Sequence, residues 1–327
     1  MRDENYESKL SADIAAFVAR KRACGYPCVE SATILRRFDR MVAERFPDDG
    51  TVTKGACDAW LSLVADERPN GLMRRVSPVR QLAKYMAAAG KPSYVIPPGI
   101  PGKRLKYQAH IFTREELSAF FAAIDSCGPS ACSPTKAYVV PTLFRMLYCC
   151  GMRSSEALLL GASGVDLEAG RIDVKGCKGW CGRTVYMGDD MLRVCRAYDA
   201  VIEGMLPGRV PFFPNREGGF FSKSAPNHWF HQFWDPLPEA ARVKGNPPRV
   251  HDFRHTHAAT RLNRWVEEGA DVEAMYPYLS GFLGHANFAD TSYYLKMSAS
   301  FYPELDRRMA PVNSLVLPEV VRHGAEG

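Results

Sequence analysis

Between Lys91 and Gln108 the chain carries Pro92, Pro97, Pro98 and Pro101 together with Gly99 and Gly102. Each proline fixes φ and removes a backbone donor, and the glycines add freedom, so neither a helix nor a central strand can run through this stretch. A chain of 327 residues interrupted there should fold as two bodies. The expected organisation is a helical domain over 1–90, a basic Pro/Gly linker over 91–110, a second domain over 111–300 and a tail over 301–327. Lys103, Arg104 and Lys106 in the linker suit a segment that tracks an anionic backbone, and equally a plain soluble connection.

The first domain reads as four helices. Leu10, Ile14, Phe17 and Val18 give Ser8–Arg22 an apolar stripe, and Ile34, Leu35, Phe38, Met41 and Val42 do the same for Ala32–Phe46. Cys57–Ala65 and Leu72–Ala89 follow, the last stopped by Gly90. The second domain opens at Thr113-Arg114-Glu115-Glu116, a capping box with Phe112 and Leu117 at the staple positions. Helices are expected to about Asp125, over Tyr138–Cys150 and over Ser155–Leu160. A β-hairpin of Arg171–Lys175 and Arg183–Met187 comes next, with Ile172/Val174 and Val185/Met187 alternating. Further helices are expected over Asp190–Glu203, Ala225–Trp234, Val250–Glu268, Val272–Leu283 and Ala289–Met297. The fold class is therefore mainly α with a small antiparallel β-sheet.

Charge is unevenly placed. Residues 1–110 hold 19 Lys and Arg against 12 Asp and Glu, and the remainder 23 against 24. A basic front end suits phosphate neutralisation, with Arg36, Arg37 and Arg40 on one helix as candidate contacts, although a solvated basic face would look the same. The ten cysteines include the adjacent Cys149-Cys150, which does not fit a simple disulfide framework. The polar start Met1-Arg2-Asp3-Glu4-Asn5 leads into no apolar signal region, and Ala137–Met152, broken by Pro141 and Arg145, is too short to span a bilayer. A cytoplasmic protein with free thiols and no membrane partner is expected. Cys177 and Cys181 lack a second ligand pair at metal spacing, so no metal is expected.

Several residue types lie in a suggestive order. Arg153 stands at a turn opening a helix in Gly151-Met152-Arg153-Ser154-Ser155-Glu156-Ala157-Leu158, with Glu156 one turn on. Lys175 ends the first hairpin strand, and Lys178 competes with it. His251-Asp252-Phe253-Arg254-His255 puts His251 and Arg254 on one helical face; Leu283-Gly284-His285 and the pair Tyr293-Tyr294 follow. Cleaving a phosphodiester with tyrosine needs a group to take the phenol proton, whose pKa is near ~10. It also needs fixed cations on the non-bridging oxygens, where arginine forks suit best, and an acid for the leaving oxygen. Taken singly the residues are weak signals: an arginine near a helix start is ordinarily on the surface, and a histidine in an apolar helix is ordinarily a core group.

In combination they resemble the tyrosine recombinase, or phage integrase, family. The family's first arginine box, Gly-x-Arg-x-x-Glu-Leu, is similar to Gly151–Leu158 apart from Ala157, and its His-x-Leu-Arg-His-Thr box is similar to His251–Thr256. Leu283-Gly284-His285 matches the family's Leu-Gly-His, and the family's nine-residue step to the nucleophile lands on Tyr294. The resemblance spans about Ile111 to Met297; the front end fits the family's core-binding domain by architecture only. Arg254 and His285 are 31 residues apart, more than in compact members, with the surplus assigned to Trp265–Tyr278 and given no role. Tyr293 competes with Tyr294, and since adjacent helical residues point about 100° apart only one can face the site.

The resemblance implies a helical core-binding domain plus a catalytic domain, closing as a C-shaped clamp on duplex DNA. It implies Tyr294 as nucleophile, a 3′-phosphotyrosine and a free 5′ hydroxyl. Arg153 and Arg254 would hold the phosphate, Lys175 would protonate the leaving oxygen, His251 would help move the tyrosine proton and His285 would bond the phosphate. Glu156 would orient one of these groups. Strand exchange on two sites with inverted core repeats implies a homotetramer, a Holliday junction, accessory DNA-bending factors where geometry demands them, and a tail that docks on a neighbouring subunit. No cofactor is implied: the phosphotyrosine conserves bond energy, and the sequence has no Gly-x-x-x-x-Gly-Lys-Ser/Thr loop. The expected work is integration and excision of a mobile element in the nucleoid. The alternatives are a chromosome-dimer resolvase, a type IB topoisomerase and a catalytically silent DNA-binding protein.

Overall fold

The computed structural model describes residues 5–64, 67, 69–100, 102, 107–129, 133–175, 182–285 and 291. The chain forms two compact units, residues 1–107 and 108–327. Among the described residues no helix is long and apolar enough to cross a membrane.

The first unit contains α1 (Ser11–Ala23), α2 (Val29–Arg45), α3 (Lys54–Leu61) and α4 (Pro69–Ala88). Its core takes in the stripes expected for the first two helices, with Leu10, Ile14, Leu35 and Phe38 fully enclosed, joined by Trp60, Leu82 and Met86 from α3 and α4. Trp60 meets Phe38 edge-on at 5.4 Å, and its indole N–H donates to the Arg75 carbonyl at 3.3 Å. Buried Arg75 is matched by Glu67, whose Oε2 accepts from Nε at 2.9 Å and Nη2 at 2.6 Å. Arg37 and Arg40 are exposed on α2, and Arg36 is half-buried.

The second unit runs α5 (Arg114–Asp125), α6 (Lys136–Cys149), α7 (Ser154–Leu158), β1 (Val165–Asp166), β2 (Arg171–Val174), β3 (Arg183–Tyr186), α8 (Asp189–Met205), α9 (Ala225–Trp234), α10 (Pro238–Arg242), α11 (Asp252–Glu267) and α12 (Val272–Leu283). The Thr113 capping box forms as expected: Thr113 Oγ1 accepts from Glu116 N–H at 3.2 Å, and Glu116 Oε2 accepts from Thr113 N–H at 2.8 Å. The sheet is antiparallel in the order β1-β2-β3, with Ile172 opposite Val185 and Val174 opposite Arg183. Three short elements were not anticipated: a 3-10 turn over Ala162–Gly164, β1 and α10. β1 is two residues long and α10 five, too short to carry a hydrophobic period. Lys175 lies just beyond β2 rather than within it. The Trp265–Tyr278 segment is the last turn of α11, a turn with Gly269 at φ +71°, and the start of α12, N-capped by Asp271, in line with the helices expected over Val250–Glu268 and Val272–Leu283.

Aromatic rings fill the core. Phe253 stacks on Phe112 at 4.7 Å and contacts Phe120, Phe121, Phe144 and Phe230 at 5.2 to 6.3 Å. Trp229, Phe230 and Trp234 are buried in this core. Cys24, Cys28, Cys57, Cys127, Cys149, Cys150 and Cys195 are free thiols. Because Phe253 joins α11 to four other segments, Phe253→Ala should lower the unfolding free energy by roughly 3–5 kcal/mol, the range for truncating a core phenylalanine. Urea denaturation of the full chain measures it; a loss below about 1 kcal/mol would mean that this ring does not anchor α11.

Candidate active site

Distant segments of the second unit end at one place, each for a local reason. Gly151 follows α6 at φ +58°, a left-handed conformation that suits glycine. A Cβ there would lie 2.8 Å from Cδ2 of His257 and 3.1 Å from Cδ2 of Leu283, so this turn tolerates only a hydrogen. Arg153 then stands extended at the N-cap of α7. Glu156 reaches back to it, Oε2 accepting the Arg153 backbone N–H at 2.8 Å and Oε1 accepting Nη1 at 2.7 Å. From β3, Arg183 donates Nη1 to Oε1 and Nη2 to Oε2 of the same carboxylate, both at 2.8 Å.

Glu156 therefore accepts four hydrogen bonds, the capacity of a carboxylate, with its side chain 2% exposed. Burial by itself raises its pKa. The Arg183 hydrogen bonds, the Arg153 N–H and the Arg183 charge outweigh that and hold it at about 2.

Helix α12 ends in a Schellman turn: Gly284, at φ +65°, donates its N–H to Gly281 O at 3.0 Å, and His285 N–H donates to Ser280 O at 3.0 Å. The final carbonyls of a helix have no intrahelical donors and sit at the negative end of its dipole. Here three arginines take them in succession. Arg183 Nε donates to Phe282 O at 2.8 Å, Arg254 Nη2 to Leu283 O, and Arg153 Nη2 to Gly284 O at 3.0 Å. Arg254 Nη1 also donates to Gly151 O at 2.7 Å. A Cβ on Gly284 would come within 3.0 Å of Cδ and Nη1 of Arg183, a second reason for glycine beyond its φ.

The histidines surround these cations. His251 is the N-cap residue of α11, and its ring meets His255 edge-on at 4.7 Å. His285 Nδ1 is 2.7 Å from Thr291 Oγ1. Behind Gly151, the buried His257 donates Nδ1–H to Tyr148 O at 2.9 Å and stacks on Phe282. Burial, then Arg254 and Arg153, hold His285 down to about 3; burial, then His251 and Arg254, do the same for His255. His251 is lowered to about 4 by enclosure and by Arg254, Arg153 and Arg249, although one side of the residue meets solvent. His257 is lowered to about 4 by burial and by Arg261. All four rings are neutral at pH 7 in the free chain.

Arg153, Glu156, His251, Arg254 and His285 are thus brought together. Arg153 keeps 37% of its side chain exposed, whereas Arg254 is 1% exposed. Lys175 is exposed, one residue past the Val174–Arg183 pair. Tyr294 and its competitor Tyr293, together with Lys178, Lys103, Arg104 and Lys106, lie outside the described residues. Arg183 was missed by the reading of the sequence. The signal was present: the alternation of Val185 and Met187 on the inward face extends back to Arg183, and an arginine on a core-facing strand position needs an anion. Among the described residues no group of three or more His, Cys, Asp or Glu could hold a metal ion.

The phage integrase family profile matches residues 110–300, which contain every residue of this cluster. The chain belongs to that family, the tyrosine recombinases. It is therefore an enzyme that cleaves and rejoins DNA. It is similar to y4rB of Sinorhizobium fredii, provisionally named an integrase/recombinase, with 26% identity over 90% of this chain and 95% of that one. It is 28% identical to the tyrosine recombinase XerD of Pseudomonas aeruginosa over 52% of this chain and 53% of that one. Solved structures with the same fold include the Tn1549 transposon integrase in complex with circular intermediate DNA (TM-score 0.62, 14% identity, 92% and 99% covered). A lambda integrase tetramer bound to a Holliday junction is another (TM-score 0.59, 14% identity, 87% and 76% covered).

Histidines with folded pKa values below the unfolded value of 6.5 bind fewer protons in the native state than in the unfolded one as pH drops through that window. Their contribution to stability is therefore full above about 6.5 and is lost as pH falls toward 4. Urea unfolding between pH 7 and 5 should show this decline, and His255→Asn, His257→Gln and His285→Asn should each flatten it. A profile that these substitutions leave unchanged would mean the rings are not held neutral.

Proposed function

We propose that the chain is a site-specific DNA recombinase that integrates and excises a mobile element through a 3′-phosphotyrosine and a Holliday junction. The observation that carries this reading is the pair Arg153 and Arg254 donating to adjacent carbonyls, Gly284 O and Leu283 O, immediately before His285. Two guanidiniums so fixed, ringed by neutral imidazoles, suit a phosphodiester whose oxygens gain charge during attack.

In this reading the Tyr294 hydroxyl attacks the scissile phosphorus, the P–O5′ bond breaks and the 3′ phosphate is left on the tyrosine. Arg153 and Arg254 stabilise the non-bridging oxygens, and His285 bonds one of them. Neutral His251 can accept the phenol proton, and the Lys175 ammonium gives a proton to the leaving 5′ oxygen. Glu156 orients Arg153. Residues 1–90 act as the DNA core-binding domain, with Arg36, Arg37 and Arg40 as contacts and 91–110 as a basic linker carrying Lys103, Arg104 and Lys106. Reciprocal exchange needs four active sites, hence a homotetramer on two DNA sites with inverted core repeats, the 301–327 tail docking between subunits. Similarity to y4rB and the fold shared with the Tn1549 integrase support the mobile-element role. The similarity to XerD favours a second reading, an Xer-like resolvase of chromosome dimers using the same chemistry.

The test is a nicked suicide duplex built on inverted repeats sought by sequencing the DNA beside the gene. The wild-type chain should form a covalent adduct, and Tyr294→Phe should abolish it while duplex binding persists. Arg153→Ala should slow adduct formation by roughly 10²–10³-fold, as expected for one lost transition-state donor. An adduct that survives Tyr294→Phe and disappears in Tyr293→Phe moves the nucleophile to Tyr293. Relaxation of supercoiled plasmid at any sequence, without recombinant product, would identify a topoisomerase instead.

A further inference from the structure

We propose that Arg183 is a positioning residue for strand cleavage. By holding both oxygens of Glu156 from β3, it fixes Arg153 and leaves the cluster two positive charges in surplus for the doubly charged phosphorane. The proposal rests on the recombinase reading and deepens it.

Three features carry it. The first is geometry: Arg183 uses Nε on Phe282 O and Nη1 and Nη2 on the two oxygens of Glu156, so three donors of one planar fork join β3, α7 and the end of α12. Lysine could supply the charge but not this pattern. The second is charge. Glu156 alone with Arg153 would form a neutral pair, cancelling a cation aimed at the phosphate. Arg183 shares that carboxylate, so Arg153, Arg183 and Arg254 against Glu156 leave two positive charges around one buried anion. A phosphodiester carries one negative charge and its pentacoordinate transition state two, so the surplus matches the transition state better than the ground state. The third is register. Arg183 pairs with Val174, one residue before Lys175, so the same side chain ties down the base of the hairpin that presents the proposed acid. Arg183 itself forms no bond to the reacting atoms.

The probe is a duplex selected from a randomised library by covalent capture on the wild-type chain, then nicked for single-turnover cleavage. Arg183→Met should cut the cleavage rate by roughly 10²-fold, comparable to losing a preorganised donor, while duplex Kd changes by less than about threefold. Arg183→Lys should recover part of the rate. Arg183→Met/Glu156→Gln should be no slower than Arg183→Met, because Arg153 is then no longer neutralised. A methylphosphonate at the scissile position, lacking one non-bridging charge, should shrink the Arg183→Met penalty. Equal penalties on phosphodiester and methylphosphonate, or an unchanged rate in both Arg183 variants, would overturn the proposal. If the wild-type chain captures no DNA, the recombinase reading fails by itself. NMR titration of Glu156 in the full chain then still decides the Arg183 contact: its pKa should rise in Arg183→Met and Arg183→Lys, and no change in either overturns the proposal.

Discussion

The end of α12 is where the second unit's charge and fold meet. Three consecutive carbonyls, Phe282 O, Leu283 O and Gly284 O, each accept from a different arginine. Taking guanidiniums out of water is costly unless their donors are matched, and a helix C-terminus offers acceptors that the helix cannot use itself. The solution requires the chain to turn sharply at Gly284 so that the third carbonyl faces the same way. It also requires that no side chain stand where the Arg183 guanidinium passes. His285 follows directly, so its position relative to Arg153 and Arg254 is set by the backbone turn.

Helix α11 transmits this order to the core. His251 and Arg254 lie on its site-facing side, Phe253 enters the aromatic core, and His257 packs behind Gly151. Arg254 and His257 act on the Gly151 turn from two sides: one donates to the Gly151 carbonyl, and the other fills the space a Cβ would take. A shift of α11 by one residue would replace Phe253 with a charged neighbour in the core and withdraw Arg254 from both of its carbonyls. Packing and chemistry therefore enforce the same register.

How much of this was legible in the sequence follows from the range of each interaction. Local signals read well: the Thr113 box, the span Ala225–Trp234 of α9, the span Val272–Leu283 of α12 and the hairpin are set by neighbours within a turn or a strand pair. The family motifs pointed to Arg153, Glu156, His251, Arg254 and His285 because each sits in a short stretch of recognisable spacing. What escaped depends on distant partners. Arg183 contacts a carboxylate 27 residues away and a carbonyl 99 residues away; the strand alternation marks it as inward-facing but identifies neither partner. β1 exists only because β2 offers it an edge, and the sequence assigned Trp265–Tyr278 no role because the cluster that packs its helices together, Ala258, Leu262, Val272, Leu279 and Leu283, draws on both α11 and α12.

The electrostatics of the free site are one-sided. Three guanidiniums are held by four carbonyls and, for Arg153 and Arg183, by one carboxylate, and the surrounding histidines give up their protons rather than add to the positive field. That arrangement is less stable than an evenly compensated one, since like charges are crowded where water is partly excluded. In the proposed reaction a phosphate beside Arg153 would offset part of the surplus positive charge and weaken the field on the imidazoles, raising their proton affinity. Carbonyl dipoles hold the three guanidiniums in place, and under the proposed chemistry a phosphate whose charge grows during reaction would attract them more strongly still. The preorganisation of the arginines and the crowding of their like charges have the same physical cause.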